Sequence, residues 1–219
     1  MSRVLLTGVR GRTGVPLAEL LGALLEVTPA ASVVLLSERD AGRAGPDGWS
    51  VRAVEAVRGS GHSWSVLRPG WFVQVFTDAR FHLDRVRGAG ELPFPSGGAR
   101  VAWIDARDIA AVTERALLDE EHAGRVFGLS GPQSMSLPRT AELLSRALGR
   151  PVVHRDVPVA EVLAGTEGFE RDLTALTSAR VRAGVFAPAT DTVQQVTGRP
   201  PRSLEAFLAD AGPVLGRTV

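Results

Sequence analysis

The sequence predicts an α/β fold: a mainly parallel sheet with helices on both faces, followed by a small and mostly helical C-terminal portion. Short apolar runs alternate with stretches of helical periodicity along most of the chain, which is the pattern of a parallel sheet with crossover helices. A glycine-spaced turn, with Gly8, Gly11 and Gly14 three residues apart, joins the first apolar run to the first helical stretch. From Val159 onward the pattern is mainly helical.

The predicted strands are short apolar runs, several of which end at glycine, proline or a polar cluster. They cover residues 4–7, 33–36, 64–67, 101–104 and 126–129, with a last extended segment at 152–156. Residues 41–48 and 88–100 are rich in glycine, proline and polar residues, and are predicted to be loops.

The predicted helices have apolar residues at three- and four-residue spacing, so that one face of each can pack on the sheet. They cover residues 15–26, 49–58, 105–118, 137–148 and 203–210, and part of 71–86 is also predicted to be helical. Asp108 is predicted to cap the helix at 105–118, because its carboxylate can accept hydrogen bonds from backbone N–H groups of the first turn.

The composition excludes several classes of function. The 25 basic residues, all arginine, and the 24 acidic residues nearly cancel, so no whole-chain charge attracts nucleic acid or a membrane. Cysteine is absent, which excludes disulfides, thiolate catalysis and cysteine metal sites. No leader opens the chain and its apolar runs are too short to span a bilayer, so we expect a soluble cytoplasmic protein.

The glycine-spaced turn is typical of a phosphate-binding loop at a helix N-terminus. Glycine allows the backbone to approach a pyrophosphate, while the helix dipole and the first N–H groups attract the anion. The alternative is a tight strand-to-helix turn that binds nothing. The predicted cofactor-binding residues of this turn are Gly8, Val9, Arg10, Gly11, Arg12, Thr13 and Gly14.

Several short motifs, in order along the chain, carry a resemblance to a known family. They are residues 7–14, 33–37, Leu-Arg-Pro-Gly-Trp-Phe at 67–72, Ile-Asp-Ala-Arg-Asp-Ile-Ala at 104–110, Leu-Ser-Gly-Pro at 129–132 and Val-Thr-Gly-Arg-Pro-Pro at 196–201. The chain resembles the NmrA-like group of atypical short-chain dehydrogenase/reductases. The resemblance implies a Rossmann-like NAD(P)-binding domain over 1–157 and a helical substrate-side portion over 158–219.

The chain departs from that family near residues 27–32, which join the first helix almost directly to a strand. A βαβ unit takes about 30 residues, and roughly two such units are missing from the nucleotide-binding half. In one interpretation, 33–36 is the ordinary second strand and Glu38 or Arg39 reads the cofactor ribose. In the other, 33–37 is the family's later strand, and Ser37 ends it near the nicotinamide position.

Further site residues follow the strand that ends at Leu67. Ligands of open α/β sheets bind at the carboxyl ends of strands, so Pro69 and Gly70 are predicted to contact the cofactor. The aromatic and polar residues beyond them either line a substrate pocket or fill the core. The predicted pocket residues are Trp71, Phe72, Gln74 and His82.

The sequence nominates no catalytic residue and no metal site. Tyrosine and lysine, the proton-transfer pair of ordinary short-chain dehydrogenases, are both absent, and the four histidines share no ligand spacing. The resemblance implies an oxidoreductase that uses NADP or NAD and passes hydride to a small apolar or quinone-like molecule. The alternative is a non-catalytic or cofactor-independent protein that serves as a redox-sensing or interaction module.

Overall fold

The computed structural model describes residues 2–6, 30–40, 49–79 and 81–216. The glycine-spaced turn, the helix predicted at 15–26 and the loop predicted at 41–48 lie outside these residues. The described strands are β1 (Ser2–Leu6), β2 (Ala30–Leu36), β3 (Ser63–Pro69), β4 (Glu91–Pro93), β5 (Arg100–Val101), β6 (Arg125–Leu129), β7 (Met135–Ser136) and β8 (Val153–Arg155).

The helices alternate with these strands in the first part of the chain and follow one another in the last. They are α1 (Trp49–Gly59), α2 (Leu83–Gly88), α3 (Ala106–Leu118), α4 (Leu137–Leu148), α5 (Val159–Leu163), α6 (Gly168–Arg182), α7 (Thr192–Thr197) and α8 (Leu204–Asp210). Short 3₁₀ helices lie at Val73–Phe76 and Glu120–His122.

The chain divides into two compact units. The first, here called the sheet unit, comprises Met1–Pro69, Arg107–Leu129 and Thr192–Arg199. The second, here called the aromatic unit, comprises Gly70–Ala106, Ser130–Asp191 and Pro200–Val219. These units interleave along the chain, and the functional division at 157/158 stays a prediction.

The sheet unit is built on four parallel strands in the order β1-β2-β3-β6. The central residues Val33, Val34, Leu35, Val66 and Leu67 are fully buried, as expected when both faces of a parallel sheet are covered. Helix α1 packs against β2 and β3, and α7 packs against β6. The predicted α/β class with a mainly parallel sheet is confirmed.

The aromatic unit has a separate core and two small sheets. Strands β4 and β8 pair in parallel, and β5 pairs with β7 in the antiparallel sense. Helix α4 carries much of this core, since Leu137, Leu143 and Leu144 on one face are buried. The side chain of Ser136 accepts a hydrogen bond from the backbone N–H of Arg139 and so caps the helix, a standard N-terminal stop.

Three local predictions need correction. The strand predicted at 101–104 is only β5, because Ile104 forms an isolated bridge with Phe72 instead of continuing the ladder. The loop predicted at 88–100 contains β4, which exists because it pairs with β8 far along the chain. Asp108 is not the N-cap residue of α3: the helix begins at Ala106, so Asp108 lies inside the first turn and Asp105 precedes the helix.

The remaining helices agree with the sequence pattern. Helix α1 ends one residue beyond its predicted limit, α4 has the predicted bounds, and α8 begins directly after the predicted Ser203. The segment 71–86 is helical in part, as predicted, through one 3₁₀ turn and the start of α2. No helix in the described part of the chain combines the length and the apolar character needed to cross a membrane.

Candidate functional site

The carboxyl ends of the strands define one edge of the sheet unit, and Ser37 lies there. It follows β2 directly, and its backbone N–H donates to the carbonyl of Leu67 in β3, with N···O 2.8 Å. The residue is 8% exposed, and its Oγ has no hydrogen-bond partner. A buried hydroxyl without a partner is costly. Because open α/β sheets bind ligands at the carboxyl ends of their strands, this hydroxyl favours a ligand contact.

Arg68 lies beside Ser37, one residue before the end of β3. It pairs in register with Gly128 of β6 and is half-buried. Its Nε is buried and has no hydrogen-bond acceptor. Arg68 therefore brings an unsatisfied donor to the same edge as Ser37.

Arg39, a candidate for reading the cofactor ribose, has a structural contact. Its Nη1 donates to the carbonyl of Leu129 at the end of β6, at 2.9 Å. Burial lowers the pKa of Arg39 from its ordinary value. The guanidinium thus ties the segment after β2 to the end of β6.

Pro69 and Gly70 follow Arg68 and are both buried. Pro69 is the last residue of β3 and pairs with Leu129. The chain then enters the aromatic unit, where the N–H of Ile104 donates to the carbonyl of Trp71 at 3.0 Å and the N–H of Val73 donates to the carbonyl of Ile104 at 2.9 Å. These two bonds fix the backbone on either side of Phe72.

Trp71 lies in the middle of a cluster of rings. Its ring centroid is 5.0 Å from those of Phe94 and Trp103, and 6.1 Å from that of Phe186. Those three partners are almost fully buried, whereas Trp71 is half-buried. Trp71 therefore packs against core rings and leaves part of its surface open.

Gln74 is held by both ends of its amide. Its Nε2 donates to Oδ1 of Asp105 at 3.1 Å, and its Oε1 accepts from the backbone N–H of Ala106 at 3.2 Å. Asp105 is fully buried. These contacts favour a positioning role for Gln74, because the amide groups that would face a nicotinamide are already engaged.

His82 lies at the edge of the ring cluster. Its ring is 6.4 Å from Trp71, 6.2 Å from Phe76 and 6.2 Å from Phe94, measured between centroids. Burial, with a smaller contribution from the charge of Arg85, lowers the pKa of His82 to about 4. At neutral pH the imidazole is therefore uncharged, which suits an apolar wall and does not suit a proton donor.

The structure brings the predicted site residues together in two groups, each within one unit. Ser37 and Pro69 lie at the carboxyl edge of the sheet unit, and Trp71 and His82 share the ring cluster of the aromatic unit. The glycine-turn residues 8–14 lie outside the described residues. No group of three His, Asp or Glu side chains in the described part of the chain is placed to hold a metal ion.

Sequence reasoning missed several residues of these two groups. Phe94, Trp103 and Phe186 reach the ring cluster from three separate segments, and no local spacing links them. The sequence pattern places Asp105 at the start of a helix and gives no sign that its carboxylate accepts a hydrogen bond from Gln74. The one signal for the cluster was the aromatic character of residues in otherwise glycine- and proline-rich loops.

The four-stranded parallel sheet, with helices packed against its strands, defines a Rossmann-type α/β protein. The structure is similar to that of the NADPH-dependent quinone oxidoreductase of Escherichia coli solved with NADPH, with a TM-score of 0.83, 18% identity and coverage of 95% of this chain and 76% of that one. It is also similar to the triphenylmethane reductase of Citrobacter sp. solved with NADP(H), with a TM-score of 0.79, 17% identity and coverage of 96% and 76%.

The chain belongs to the NmrA-like family, whose model matches residues 50–208. The NAD(P)H azoreductase of Xenophilus azovorans is 34% identical over 168 residues, which cover 73% of this chain and 56% of the azoreductase. The chain spans about half the length of the curated relatives it matches. The family predicted from short motifs is confirmed.

Proposed function

We propose that this chain is an NAD(P)H-dependent oxidoreductase of the NmrA-like type, which transfers hydride to a small apolar or quinone-like molecule. The observation that carries the proposal is the unpaired, buried hydroxyl of Ser37 at the carboxyl edge of the parallel sheet. The 34% identity to an NAD(P)H azoreductase supports the same conclusion. A cytoplasmic location, where reduced nicotinamide nucleotides are available, is part of the proposal.

The residues present fit a nicotinamide cofactor. The glycine-spaced turn at 8–14 would hold the pyrophosphate, and Ser37, Pro69 and Gly70 would contact the nicotinamide half. The cofactor supplies the hydride. The protein then has to bind and orient both reactants and exclude water, so the absence of tyrosine and lysine from the chain is compatible with turnover.

The strand order supports the interpretation in which 33–37 is the family's later strand. In the ordinary dinucleotide fold the second and third strands lie on one side of the first strand, and the fourth, fifth and sixth follow on its other side. Here the described strands run outward without reversal, and β6 pairs with β3 instead of returning to β1. We infer that β2, β3 and β6 occupy the places of the fourth, fifth and sixth strands.

The substrate would bind against the residues that follow β3. Trp71 and Phe72 offer half-buried aromatic surface, and the neutral ring of His82 adds to it. Aromatic and uncharged walls favour flat apolar molecules such as quinones. Gln74 would act by holding the Trp71 segment against Asp105 and Ala106.

Fluorescence titration with NADPH and NADH tests the cofactor step. We expect saturable binding of at least one nucleotide, and loss of that binding in Gly11→Asp, because a carboxylate in the glycine turn repels the pyrophosphate. Gly88→Asp is the control, since an added Cβ at Gly88 meets nothing within 4 Å. Failure of the wild-type protein to bind either nucleotide at millimolar concentration would refute the proposal.

Turnover distinguishes the enzyme from a non-catalytic NmrA-like protein. With a panel of quinones, we expect steady NADPH oxidation by the wild-type protein and by Gly88→Asp, but not by Gly11→Asp. Nucleotide binding without turnover of any quinone or azo compound would instead support a redox-sensing module.

A further inference from the structure

We propose that Ser37 and Arg68 form a subsite for an oxyanion: a phosphate, carboxylate or sulfonate group of a small molecule. The subsite lies at the carboxyl edge of the sheet unit. Assigning the oxyanion to a cofactor or to a substrate rests on the proposed function, whereas binding of the oxyanion itself does not.

The register of the sheet places the two side chains next to each other. The ladder between β2 and β3 ends with the pair Leu36 and Leu67, and the bond from the Ser37 N–H to the Leu67 carbonyl continues it. The next lateral neighbours are therefore Ser37 and Arg68. Because side chains alternate between the faces of a sheet and lateral neighbours share a face, the hydroxyl and the guanidinium lie on the same face.

Both groups have hydrogen-bonding capacity that the protein leaves unused. The Oγ of Ser37 and the Nε of Arg68 are buried without a partner, and within the described part of the chain no carboxylate forms an ion pair with Arg68. A hydroxyl and a guanidinium can both donate to one oxyanion, and arginine matches the planar, two-oxygen geometry of carboxylate and phosphate groups. An oxyanion would therefore satisfy both residues at once.

Space for the ligand is available beside Arg68. Its neighbour in β6 is Gly128, and a Cβ added at Gly128 would meet no atom within 4 Å. The adjacent residues Phe127 and Leu129 point to the opposite face, because side chains alternate along a strand. A larger residue at position 128 would occupy this space, so glycine keeps it open next to the guanidinium.

Arg39, a second arginine near this edge of the sheet, differs from Arg68 because its guanidinium has a hydrogen-bond acceptor. It lies two residues after Ser37, and its guanidinium donates to the Leu129 carbonyl at 2.9 Å. The Nε of Arg68 has no equivalent acceptor. The contrast indicates that Arg68 is positioned for a ligand and Arg39 for the fold.

Thermal unfolding tests the oxyanion subsite without any assumption about turnover. The wild-type protein is melted in sodium phosphate or pyrophosphate and in sodium chloride of equal ionic strength. We expect a higher Tm in phosphate, because a ligand that binds only the folded state stabilises it. The increment should be clearly smaller in Arg68→Met and in Ser37→Ala than in the wild-type protein. Any part that both variants keep comes from the glycine-spaced turn or from the general stabilising effect of phosphate salts.

Two further variants keep this test decisive. Arg146→Gln removes the same charge from an exposed position of α4 and should keep the full increment, while Arg68→Lys should restore part of it. If Arg68→Met does not fold, Ser37→Ala still decides, because it removes only one oxygen. The proposal would be overturned by an equal Tm in phosphate and chloride for the wild-type protein, or by an increment that is as large in Arg68→Met and Ser37→Ala as in the wild-type protein.

Nucleotide and substrate assays then identify the source of the oxyanion. If it is a cofactor phosphate, Arg68→Met should weaken NADPH binding roughly tenfold or more, the usual effect of losing a charge-assisted bond. If it is a substrate group, the KM of a sulfonated naphthoquinone should rise by a similar factor, with its neutral parent and the NADPH affinity unchanged. If Arg68→Met changes neither the NADPH affinity nor the KM of the sulfonated naphthoquinone, Arg68 does not bind the ligand and the proposal is overturned.

The same experiments separate failure of the subsite from failure of the proposed function. Stabilisation by phosphate that depends on Arg68, in a protein that binds no nucleotide and turns over no quinone, supports the subsite and refutes the oxidoreductase. Nucleotide binding and turnover that are indifferent to Arg68 and Ser37 support the oxidoreductase and refute the subsite.

Discussion

Replacing Gly131 by alanine should destabilise the aromatic unit severely. The Cβ of an alanine at this buried position would lie 1.7 Å from the carbonyl oxygen of Trp103, whereas ordinary contact begins at about 3.4 Å. One backbone must therefore move by more than an ångström. Side chains cannot relieve the clash, because the atom that is struck belongs to the main chain.

Hydrogen bonds hold the backbone on both sides of Trp103, so displacing this backbone costs free energy. The N–H of Ala102 donates to the Phe186 carbonyl and the N–H of Ile104 donates to the Trp71 carbonyl, while Nε1 of Trp103 donates to Oγ1 of Thr140 at 3.0 Å. Overpacking of a fixed core costs about 1–3 kcal/mol and occasionally more. We expect the upper end, about 3 kcal/mol, which lowers the Tm by roughly 6–12 °C for a chain of this size.

Differential scanning calorimetry of Gly131→Ala and of Gly128→Ala measures this effect. Gly128 lies three residues earlier in the chain, in the sheet unit. A Cβ there meets nothing within 4 Å, so its replacement should change the Tm by no more than a degree or two. Equal Tm values for the two variants would refute this prediction, because the close approach of the added Cβ to the Trp103 carbonyl would then have no energetic consequence.

Three other changes have distinct expected results. Burial lowers the pKa of His82 in the folded state to about 4, below its value in the unfolded chain. Between about pH 4 and pH 6.5 the unfolded chain therefore binds one proton more than the folded protein at this residue. The free energy of unfolding is accordingly highest above about pH 6.5 and falls as the pH is lowered toward 4. Urea unfolding measures the fall in the free energy of unfolding between pH 6.5 and pH 4.5. This fall should be about 2 kcal/mol smaller in His82→Phe than in the wild-type protein, and an equal fall in both proteins would contradict the burial of the imidazole. Ser136→Ala should lower the free energy of unfolding by about 1 kcal/mol, the usual value of an N-cap, with Ser136→Thr as a control that keeps the cap. Arg39→Gln should lower the melting temperature but leave the ratio of NADPH to NADH affinity within about twofold, since its guanidinium is engaged with a carbonyl; a large change in that ratio would favour the ribose-reading role.

Elements with strong local signals are the ones that sequence predicts well. Helix α4 is an example, because a serine cap, an amphipathic face and Gly149 in the left-handed conformation at φ 68° all lie within one short segment. Strands β2, β3 and β6 are similarly predictable, since their apolar runs are bounded by turns. The exception β4 has only three residues and exists through pairing with β8, a partner that no local pattern specifies.

The candidate site is less predictable, because its chemistry depends on which polar groups remain unpaired. Arg39 and Arg68 look alike in sequence: each is an arginine within three residues of the last position of a strand. In three dimensions Arg39 donates to the Leu129 carbonyl, whereas the Nε of Arg68 has no acceptor. The difference comes from where the end of β6 lies, and that is set by the pairing of β6 with β3, which brings together segments far apart in the chain. For this fold, the residues available to a ligand are those whose donors remain unsatisfied after the strands have paired.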